Sequence, residues 1–358
     1  MKFGIFDHVE QRRDVPLDQQ YHERLELLMQ ADRGGIYGYH VAEHHHSPLS
    51  MVPCHAPYFT AIAAKTEHIR FGPLVYVLPL YHPVRLIEES CMVDNLSGGR
   101  YQIGVGRGAP VGEEFAMWGG EPDETHERFD EIFRILVQGL TQEFLTFHGK
   151  YYQFEDLWMA LKPKQLPHPP FWYAGNPVHA GEYGANLISA GAISQLPKVV
   201  SVYREAWQQQ TEANDPALPH VQDPLCGVVK RVLIAETDEE ALERARPAYE
   251  AYRSNFTKPL PGGRSRRPTP AGSALATRTR EFPWDATFDQ AREAEGVLVG
   301  SPETVRDYVL HYAAESDCNY FVSSFQWGDI THEEASRSLR LFVSEVMPCV
   351  ADTPAKAE

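Results

Sequence analysis

Three consecutive histidines that follow a glutamate, at positions 43–46, are the residues best suited to chemistry in this chain. In an extended segment His44 and His46 point one way, and Glu43 and His45 point the other way. An H-x-H pair of this kind could chelate a metal ion or supply a general base near neutral pH. The alternative is a polar loop whose histidines make ordinary hydrogen bonds. The residue types alone leave these possibilities open.

A glycine-rich segment, GVGRGAPVG at residues 104–112, is the second candidate. Its glycines let a backbone approach a ligand closely, and the forked guanidinium of Arg107 suits a phosphate group. The segment fits part of a dinucleotide fingerprint, but Pro110 follows and the next helical pattern begins only near residue 124. Because that fingerprint needs a helix that opens directly from the glycines, the match is incomplete. A tight turn with a surface arginine is the alternative.

The third candidate is GNPVH at residues 175–179, where Gly175 and Asn176 precede a predicted helix with Pro177 in its first turn. Backbone N–H groups and the helix dipole at such a position could cradle an anion. Asn176 could instead simply cap the helix. Arg107 from a neighbouring strand could complete a phosphate site, which favours the interpretation as an anion site.

Short apolar segments alternate with helical patterns along the chain, and the candidate residues follow the apolar segments. The predicted strands are residues 3–7, 38–43, 69–78, 101–105, 170–174, 186–190, 226–235 and 319–324. The main helical patterns cover residues 18–33, 54–66, 83–97, 124–138, 177–185, 197–212, 238–255 and 332–347, with another helix that begins at Ser301-Pro302. This alternation predicts an α/β fold, a TIM (β/α)8 barrel, with a doubly wound sheet as the alternative. In a barrel the candidate residues would gather where the strands end.

Two segments stand apart from this alternation. Residues 143–168 resemble a hairpin-like insertion, and residues near 256–295 form a predicted long mobile loop. Within residues 251–280 there are seven Lys and Arg and no Asp or Glu, so the segment is strongly basic. A long irregular segment inside a compact domain is usually a lid or a disordered loop, and both interpretations stay open.

The overall charge excludes one broad class of function. The chain has 358 residues, with 33 Lys and Arg against 49 Asp and Glu, and a formal net charge of −16. Such a charge argues against general nucleic-acid binding, which needs many cations to neutralise phosphates. Five cysteines without C-x-x-C spacing indicate reduced thiols, and no apolar run is long enough to span a bilayer. We therefore expect one cytoplasmic domain over residues 1–350 and a flexible tail over 351–358.

Four segments together resemble the bacterial luciferase-like, flavin-dependent monooxygenases. They are AEHHHSPLSM at 42–51, the run from PLYHPVRLIEE to QIGVGRG at 79–108, AGNPVHAGEYGA at 174–185 and RSLRLFVSEVMP at 337–348. The resemblance covers nearly the whole chain and keeps the order of the motifs. No single motif would be sufficient for it.

The resemblance implies a barrel that binds FMN, usually as FMNH2 from a separate NAD(P)H:flavin reductase, with a deazaflavin in some members. It implies a two-component monooxygenase that uses O2 through a flavin hydroperoxide to oxygenate a small aldehyde, ketone or aromatic substrate. It also implies a homodimer that forms through the second and third helices. Neither a nucleic acid nor a membrane is an expected partner.

The resemblance assigns roles to individual residues. His44 matches the catalytic histidine, and Arg107, between Gly106 and Gly108, matches the arginine that contacts the flavin phosphate. Other cofactor-binding positions are the Leu74–Val75 peptide, expected to be cis beneath the flavin ring, and the phosphate segment with Ala174, Gly175, Asn176 and His179. The expected substrate pocket and lid residues are Phe6, Trp118, Trp327 and Arg264. No metal ligand is expected.

Two departures from the light-emitting enzymes are visible. Those enzymes carry a reactive cysteine where this chain has Gly106, and a small hydroxyl residue where it has His179. Light emission is therefore not expected. Two alternatives remain: a metal-dependent barrel hydrolase that uses His44 and His46, which would need further ligands from later strands, and a flavin-binding paralogue without turnover.

Overall fold

Eight parallel strands wind into a nearly closed ring in the computed structural model, which describes residues 1–108, 121–213, 223–257 and 286–351, with Phe115, Met117 and Trp118. The strands of the chain are β1 (Lys2–Asp7), β2 (Gly38–Val41), β3 (Arg70–Pro73), β4 (Tyr76–Val77), β5 (Ile103–Gly106), β6 (Phe144–His148), β7 (Gln153–Trp158), β8 (Phe171–Ala174), β9 (Asn186–Ser189), β10 (Cys226–Ile234), β11 (Val297–Gly300) and β12 (Tyr320–Ser324).

The strand order confirms the predicted barrel. Neighbouring strands pair in the order β3-β2-β1-β12-β10-β9-β8-β5-β4, and every pair is parallel. Because β3 and β4 are two parts of one run, the two ends of this order lie next to each other, and a bridge between Phe71 and Tyr101 helps to close the ring. β11 pairs with the end of β10, and β6 and β7 form the separate antiparallel hairpin that was expected near 143–168.

Helices surround the ring, as the helical patterns predict. They are α1 (Leu17–Arg33), α2 (His55–Lys65), α3 (Pro83–Leu96), α4 (Thr125–Thr141), α5 (Pro177–Glu182), α6 (Leu196–Ala213), α7 (Asp238–Thr257), α8 (Phe288–Glu293), α9 (Pro302–Glu315), α10 (His332–Leu341) and α11 (Met347–Ala351). No helix in the described part of the chain is long and apolar enough to cross a membrane.

The predicted loop near 256–295 is partly wrong. Its last ten residues include α8, which begins with a capping box between Thr287 and Gln290. The middle of the segment, residues 258–285, lies outside the described residues, as do most of the tail 351–358 and Arg264. The carboxyl end of the predicted loop therefore lies at or before residue 287, because α8 follows it.

A small core fills the inside of the barrel, apart from the larger core between the strands and the helices. Six buried residues form this inner cluster: Leu74, Trp172, Ile188, Leu225, Tyr320 and Val322. The Tyr320 ring fits because Gly4 faces it, since a Cβ at that position would lie 1.9 Å from the Tyr320 hydroxyl. The hydroxyl in turn lies 2.9 Å from Nε2 of His40.

The inner cluster shows which strand residues point into the barrel. Phe6 and Val229 both pack against it from the strands β1 and β10. Because side chains alternate between the two faces of a strand, His8 and Arg231 continue the same inward-facing rows at the carboxyl ends of these strands. The candidate site is therefore built around this rim.

Candidate active site at the barrel rim

A tight, buried turn follows β1 and presents His8. The Asp7 carboxylate accepts the Val9 N–H at 2.7 Å and the Tyr39 hydroxyl at 3.1 Å, and Arg24 from α1 lies 3.1 Å from it. Val9 is fully buried with φ of 52°, which is uncommon for a β-branched residue. Strained backbone of this kind persists only where the surroundings hold it, and it clusters at functional sites.

His8 and His44 meet across the ends of the neighbouring strands β1 and β2. Their rings are stacked with centroids 5.5 Å apart and an angle of 19° between planes, and Phe6 contacts the His8 ring edge-on at 4.8 Å. Both histidines keep part of their surface exposed. Burial is the largest cause that holds the pKa of His8 well below its usual value, and the nearby His44 and Arg231 add to it. His8 therefore stays neutral beside His44.

The buried Glu43 carboxylate ties the histidine loop to the segment after β3. It lies 2.8 Å from Nε2 of His45 and accepts the Tyr81 hydroxyl at 2.8 Å and the Val77 N–H at 3.3 Å. Burial lowers the pKa of His55, and the nearby Glu43 opposes that shift. The loop that carries His44 is thus fixed from its buried side.

The geometry that an H-x-H metal pair needs is interrupted. His46 has φ of 53°, so the segment is not extended there, and its side chain is exposed. Among the residues that the structure describes, no group of three or more His, Cys, Asp or Glu could hold a metal ion. The loop is therefore not the extended H-x-H segment that the sequence analysis considered.

The peptide between Leu74 and Val75 is cis, as the resemblance implies. Glycines of β5 pass close to it: a Cβ at Gly104 would lie 2.0 Å from the Pro73 carbonyl oxygen, and one at Gly106 would lie 2.5 Å from a Val75 methyl group. These two glycines are therefore needed for packing against the cis segment, whatever ligand lies above it.

The candidate phosphate site lies on the opposite side of the rim. Val105 pairs with Tyr173 in the parallel ladder, so Arg107 and Gly175 emerge from β5 and β8 side by side. Arg107 donates a hydrogen bond to the imidazole of His126, which the sequence analysis missed. Gly175 has φ of 101°, a conformation that favours glycine.

Asn176 acts as a helix cap, which is the alternative that the sequence left open. Its side-chain oxygen accepts the Val178 N–H at 2.9 Å and the His179 N–H at 3.3 Å. Nδ1 of His179 lies 3.0 Å from the Glu182 carboxylate. Because the backbone donors already have a partner, an anion here would depend mainly on the side chains of Arg107, His126 and His179.

A charged cluster beside His8 was also missed. The Arg231 guanidinium lies 3.7 Å from the centroid of the Tyr252 ring and donates to its hydroxyl, and burial lowers the pKa of Arg231 to about 10. Burial also raises the pKa of Glu10, against hydrogen bonds from Asn255 at 2.8 Å and the Gly328 N–H at 3.2 Å. Two adjacent charges, Lys230 and Arg231, in an otherwise apolar strand were the available signal.

The residues expected to line the substrate pocket differ in position. Phe6 lies against His8, and Trp118 is more than half exposed and contacts the His45 ring edge-on at 5.6 Å. Trp327 is only 1% exposed and its indole N–H donates to the Val232 carbonyl at 3.4 Å, so it belongs to the core rather than to a pocket wall. Its assignment to the pocket was wrong, because sequence does not show which way a residue after a strand turns.

A groove elsewhere on the surface contains none of these residues. It has a volume of about 680 Å³ and lies outside the ring, between the helices α1 and α10. Its lining contains residues of both charges, which include Glu26, Arg33, His332 and Arg340. The candidate chemistry and this groove are therefore separate.

Comparison with known proteins adds to this geometry. Residues 1–316 match the family of luciferase-like monooxygenases. The chain is 31% identical over 352 residues to the uncharacterized protein y4wF of Sinorhizobium fredii, which covers 97% of this chain and 96% of that protein. It is 25% identical over 368 residues to the oxygenase component of the flavin-dependent trigonelline monooxygenase of Acinetobacter baylyi, covering 99% and 96% of the two chains.

A solved structure agrees with the fold. The oxygenating constituent of 3,6-diketocamphane monooxygenase from Pseudomonas putida, in complex with FMN, superposes with a TM-score of 0.76 and 21% sequence identity over 98% of both chains. At that level of identity the likeness shows the barrel fold alone.

Proposed function

Because the chain belongs to the luciferase-like monooxygenase family, we propose that it is the oxygenase of a two-component flavin monooxygenase. It would use FMNH2 from a separate NAD(P)H:flavin reductase, together with O2, to oxygenate a small aldehyde, ketone or aromatic compound. The observation that carries the proposal is the stacked pair of His8 and His44 at the same rim as the cis peptide and Arg107. The homodimer and the cytoplasmic location belong to the same proposal and rest on resemblance.

The residues at the rim fit FMN in their chemistry. Arg107, His126 and His179 offer cationic or donor groups for a phosphate on one side of the rim. Leu74 and Val75 belong to the inner apolar cluster or pack against it, and they give a ring system an apolar contact surface. Ala174, Gly175 and Asn176 would border the phosphate, Gly106 packs against Val75 of the cis segment, and Gly108 packs against Val77 of β4.

Reduced FMN, when bound, supplies the electrons with which one atom of O2 enters the substrate and the other becomes water. The protein's part is to hold a proton at the right place and to exclude water. His44, partly exposed at the rim, would give a proton to the reacting oxygen or take one from the substrate through its imidazole nitrogen. Its loop is fixed through Glu43, and Phe6 makes the adjoining wall apolar.

An oxygen-labelling assay tests the proposal. The purified protein is mixed with a flavin reductase, NADH, FMN and ¹⁸O2 and offered a panel of aldehydes, ketones and aromatic compounds. We expect a product that carries one labelled oxygen atom, and none when the protein is left out. A parallel assay with a reduced deazaflavin tests the alternative cofactor.

Two outcomes would overturn the proposal. Tight binding of FMN without a labelled product from any compound would favour the non-catalytic paralogue. Turnover that requires the deazaflavin and incorporates no labelled oxygen would identify a dehydrogenase or reductase on the same barrel.

A further inference from the structure

Two arginines near the candidate site, Arg24 and Arg231, differ in the groups that surround their positive charge. Arg24, outside the ring, is buried and lies 3.1 Å from the buried carboxylate of Asp7. Arg231 belongs to the inward-facing row of β10, and no ion pair to it is found within the described part of the chain. Its contacts are aromatic and neutral, with the Tyr252 ring and hydroxyl.

The carboxylate nearest to this guanidinium is used elsewhere. Glu10 interacts with Arg231 through its charge, but its two oxygens accept hydrogen bonds from Asn255 and from the Gly328 N–H. No ion pair or hydrogen bond between Glu10 and the Arg231 guanidinium is found among the residues that the structure describes. A guanidinium that is partly withdrawn from water and has no close anion is less favourable than a paired one unless something else compensates it.

Arg231 adjoins the histidine pair. Tyr252, which lies beneath its guanidinium, has its ring centroid 6.1 Å from that of His8, and His8 stacks on His44. The charge of Arg231 also contributes to lowering the pKa of His8. Arg231, Tyr252, His8 and His44 therefore form one continuous wall, and Arg231 remains partly exposed.

We propose that Arg231 binds an anionic group of the organic substrate, a carboxylate or a sulfonate, and so directs the rest of that molecule towards His44. The planar fork of a guanidinium binds such groups through two parallel hydrogen bonds, and its five donors are not all used by one hydroxyl. The proposal rests on the proposed function, because it names the class of substrate for that same site. Among the compounds of the panel it selects aromatic or carbonyl compounds that also carry an acid group.

Binding of matched pairs of compounds tests the anchor without turnover. Saturation-transfer NMR on the purified full-length protein compares benzoate and benzenesulfonate with methyl benzoate. We expect the two anions to bind more tightly than the ester. In Arg231→Met the affinity for benzoate should fall about 10- to 100-fold, as for loss of a charged hydrogen-bonded pair, with a smaller loss in Arg231→Lys. Binding of methyl benzoate should not change.

A matched control removes a positive charge from an exposed helix surface. Arg246→Gln on α7 changes an exposed arginine that pairs with Asp289, and it should leave benzoate binding intact. Equal affinity of the wild-type protein for benzoate and methyl benzoate would overturn the anchor, and that comparison needs no variant. If Arg231→Met fails to fold by circular dichroism, Arg231→Lys and the wild-type comparison decide the question.

Two further measurements distinguish an error in the role of Arg231 from an error in the proposed function. FMN and riboflavin are titrated into Arg231→Met, and a loss confined to FMN as large as the loss for benzoate would assign Arg231 to the flavin phosphate and overturn the proposal. If labelled product forms but benzoate and methyl benzoate bind equally well, the role of Arg231 as an anion-binding residue is rejected and the proposed monooxygenase function is kept. Arg231-dependent benzoate binding without any labelled product would support the anion site and reject the monooxygenase.

Discussion

The two sides of the barrel rim are built differently. On the histidine side, around β1 and β2, the buried carboxylates of Asp7 and Glu43 are each held by several partners and fix the loops that carry His8 and His44. On the anion side, Arg107, His126 and His179 are partly or largely exposed. The difference indicates preorganised proton chemistry on one side and adjustable charge binding on the other.

Removing the proton-carrying group tests the histidine side most strongly. His44→Ala should lower turnover about 10²- to 10⁴-fold, the range for loss of a general acid or base, with flavin affinity nearly unchanged. The measurement is steady-state product formation with a flavin titration by fluorescence. The control is His46→Asn, which changes the exposed neighbour and tolerates its positive φ. Equal turnover of His44→Ala and wild type would remove the role of His44.

The buried support should matter for stability. Asp7→Ala leaves Arg24 buried without its carboxylate and removes the cap of the strained Val9 turn, so we expect a loss of about 3–5 kcal/mol in the free energy of unfolding. Urea denaturation measures it. Asp289→Ala, which breaks the exposed pair with Arg246, should change little. A loss as small in Asp7→Ala as in the control would mean that the histidine side is not held as tightly as its contacts suggest.

The free energy of unfolding should fall in acid because of His40, which is buried in β2 beneath the histidine side. Burial lowers the pKa of His40 to about 3 from 6.5, so the folded protein keeps it neutral while the unfolded chain protonates it. Its contribution to stability is therefore complete above pH 6.5 and is lost as the pH falls towards 3, by about 1.4 kcal/mol per pH unit. His40→Gln should reduce that slope, so the difference in unfolding free energy between the variant and wild type should shift in favour of the variant by about 2 kcal/mol between neutral pH and about pH 5.

The anion side supplies the control for this acid effect. His179→Gln removes a partly exposed histidine and leaves the buried His40 in place, so it serves as the control variant. Urea denaturation at a series of pH values measures both variants. An identical acid slope in wild type and His40→Gln would contradict the assignment of the buried proton to His40.

Much of the fold could be predicted because it depends on patterns that repeat. Alternation of apolar strands and helices identified the eight strands of the ring, and the hairpin at β6 and β7 broke that rhythm visibly. The split of the third strand at Leu74–Val75 and the short α8 were not visible as patterns. A peptide-bond isomer and a six-residue helix depend on tertiary contacts, such as the packing of Gly104 against the cis segment.

The candidate site could be located but not oriented. The positions after strands identified His44, Arg107 and Asn176, because strand ends of a parallel barrel converge. The direction of each side chain was beyond reach: Trp327 turned into the core, and the Asn176 oxygen capped its own helix. Arg231 was missed because it lies inside a strand. The sequence does not show whether such a side chain points into the barrel, where it could bind a ligand, or outward against the helices.

The smallest expected effect belongs to the exposed anion side. Arg107→Ala should weaken FMN binding about 10- to 100-fold, the range for one charged hydrogen bond, and leave the binding of riboflavin and the unfolding free energy nearly unchanged. Because the arginine is partly exposed, added salt should screen its attraction, and the difference between wild type and variant should shrink as salt is raised from about 0.1 M to 1 M. A flavin titration at both salt concentrations measures this, with Arg128→Ala on α4 as the control. A loss of FMN affinity that is independent of salt would mean that the phosphate lies in a more enclosed environment. The anion side would then be buried and preorganised, as the histidine side is.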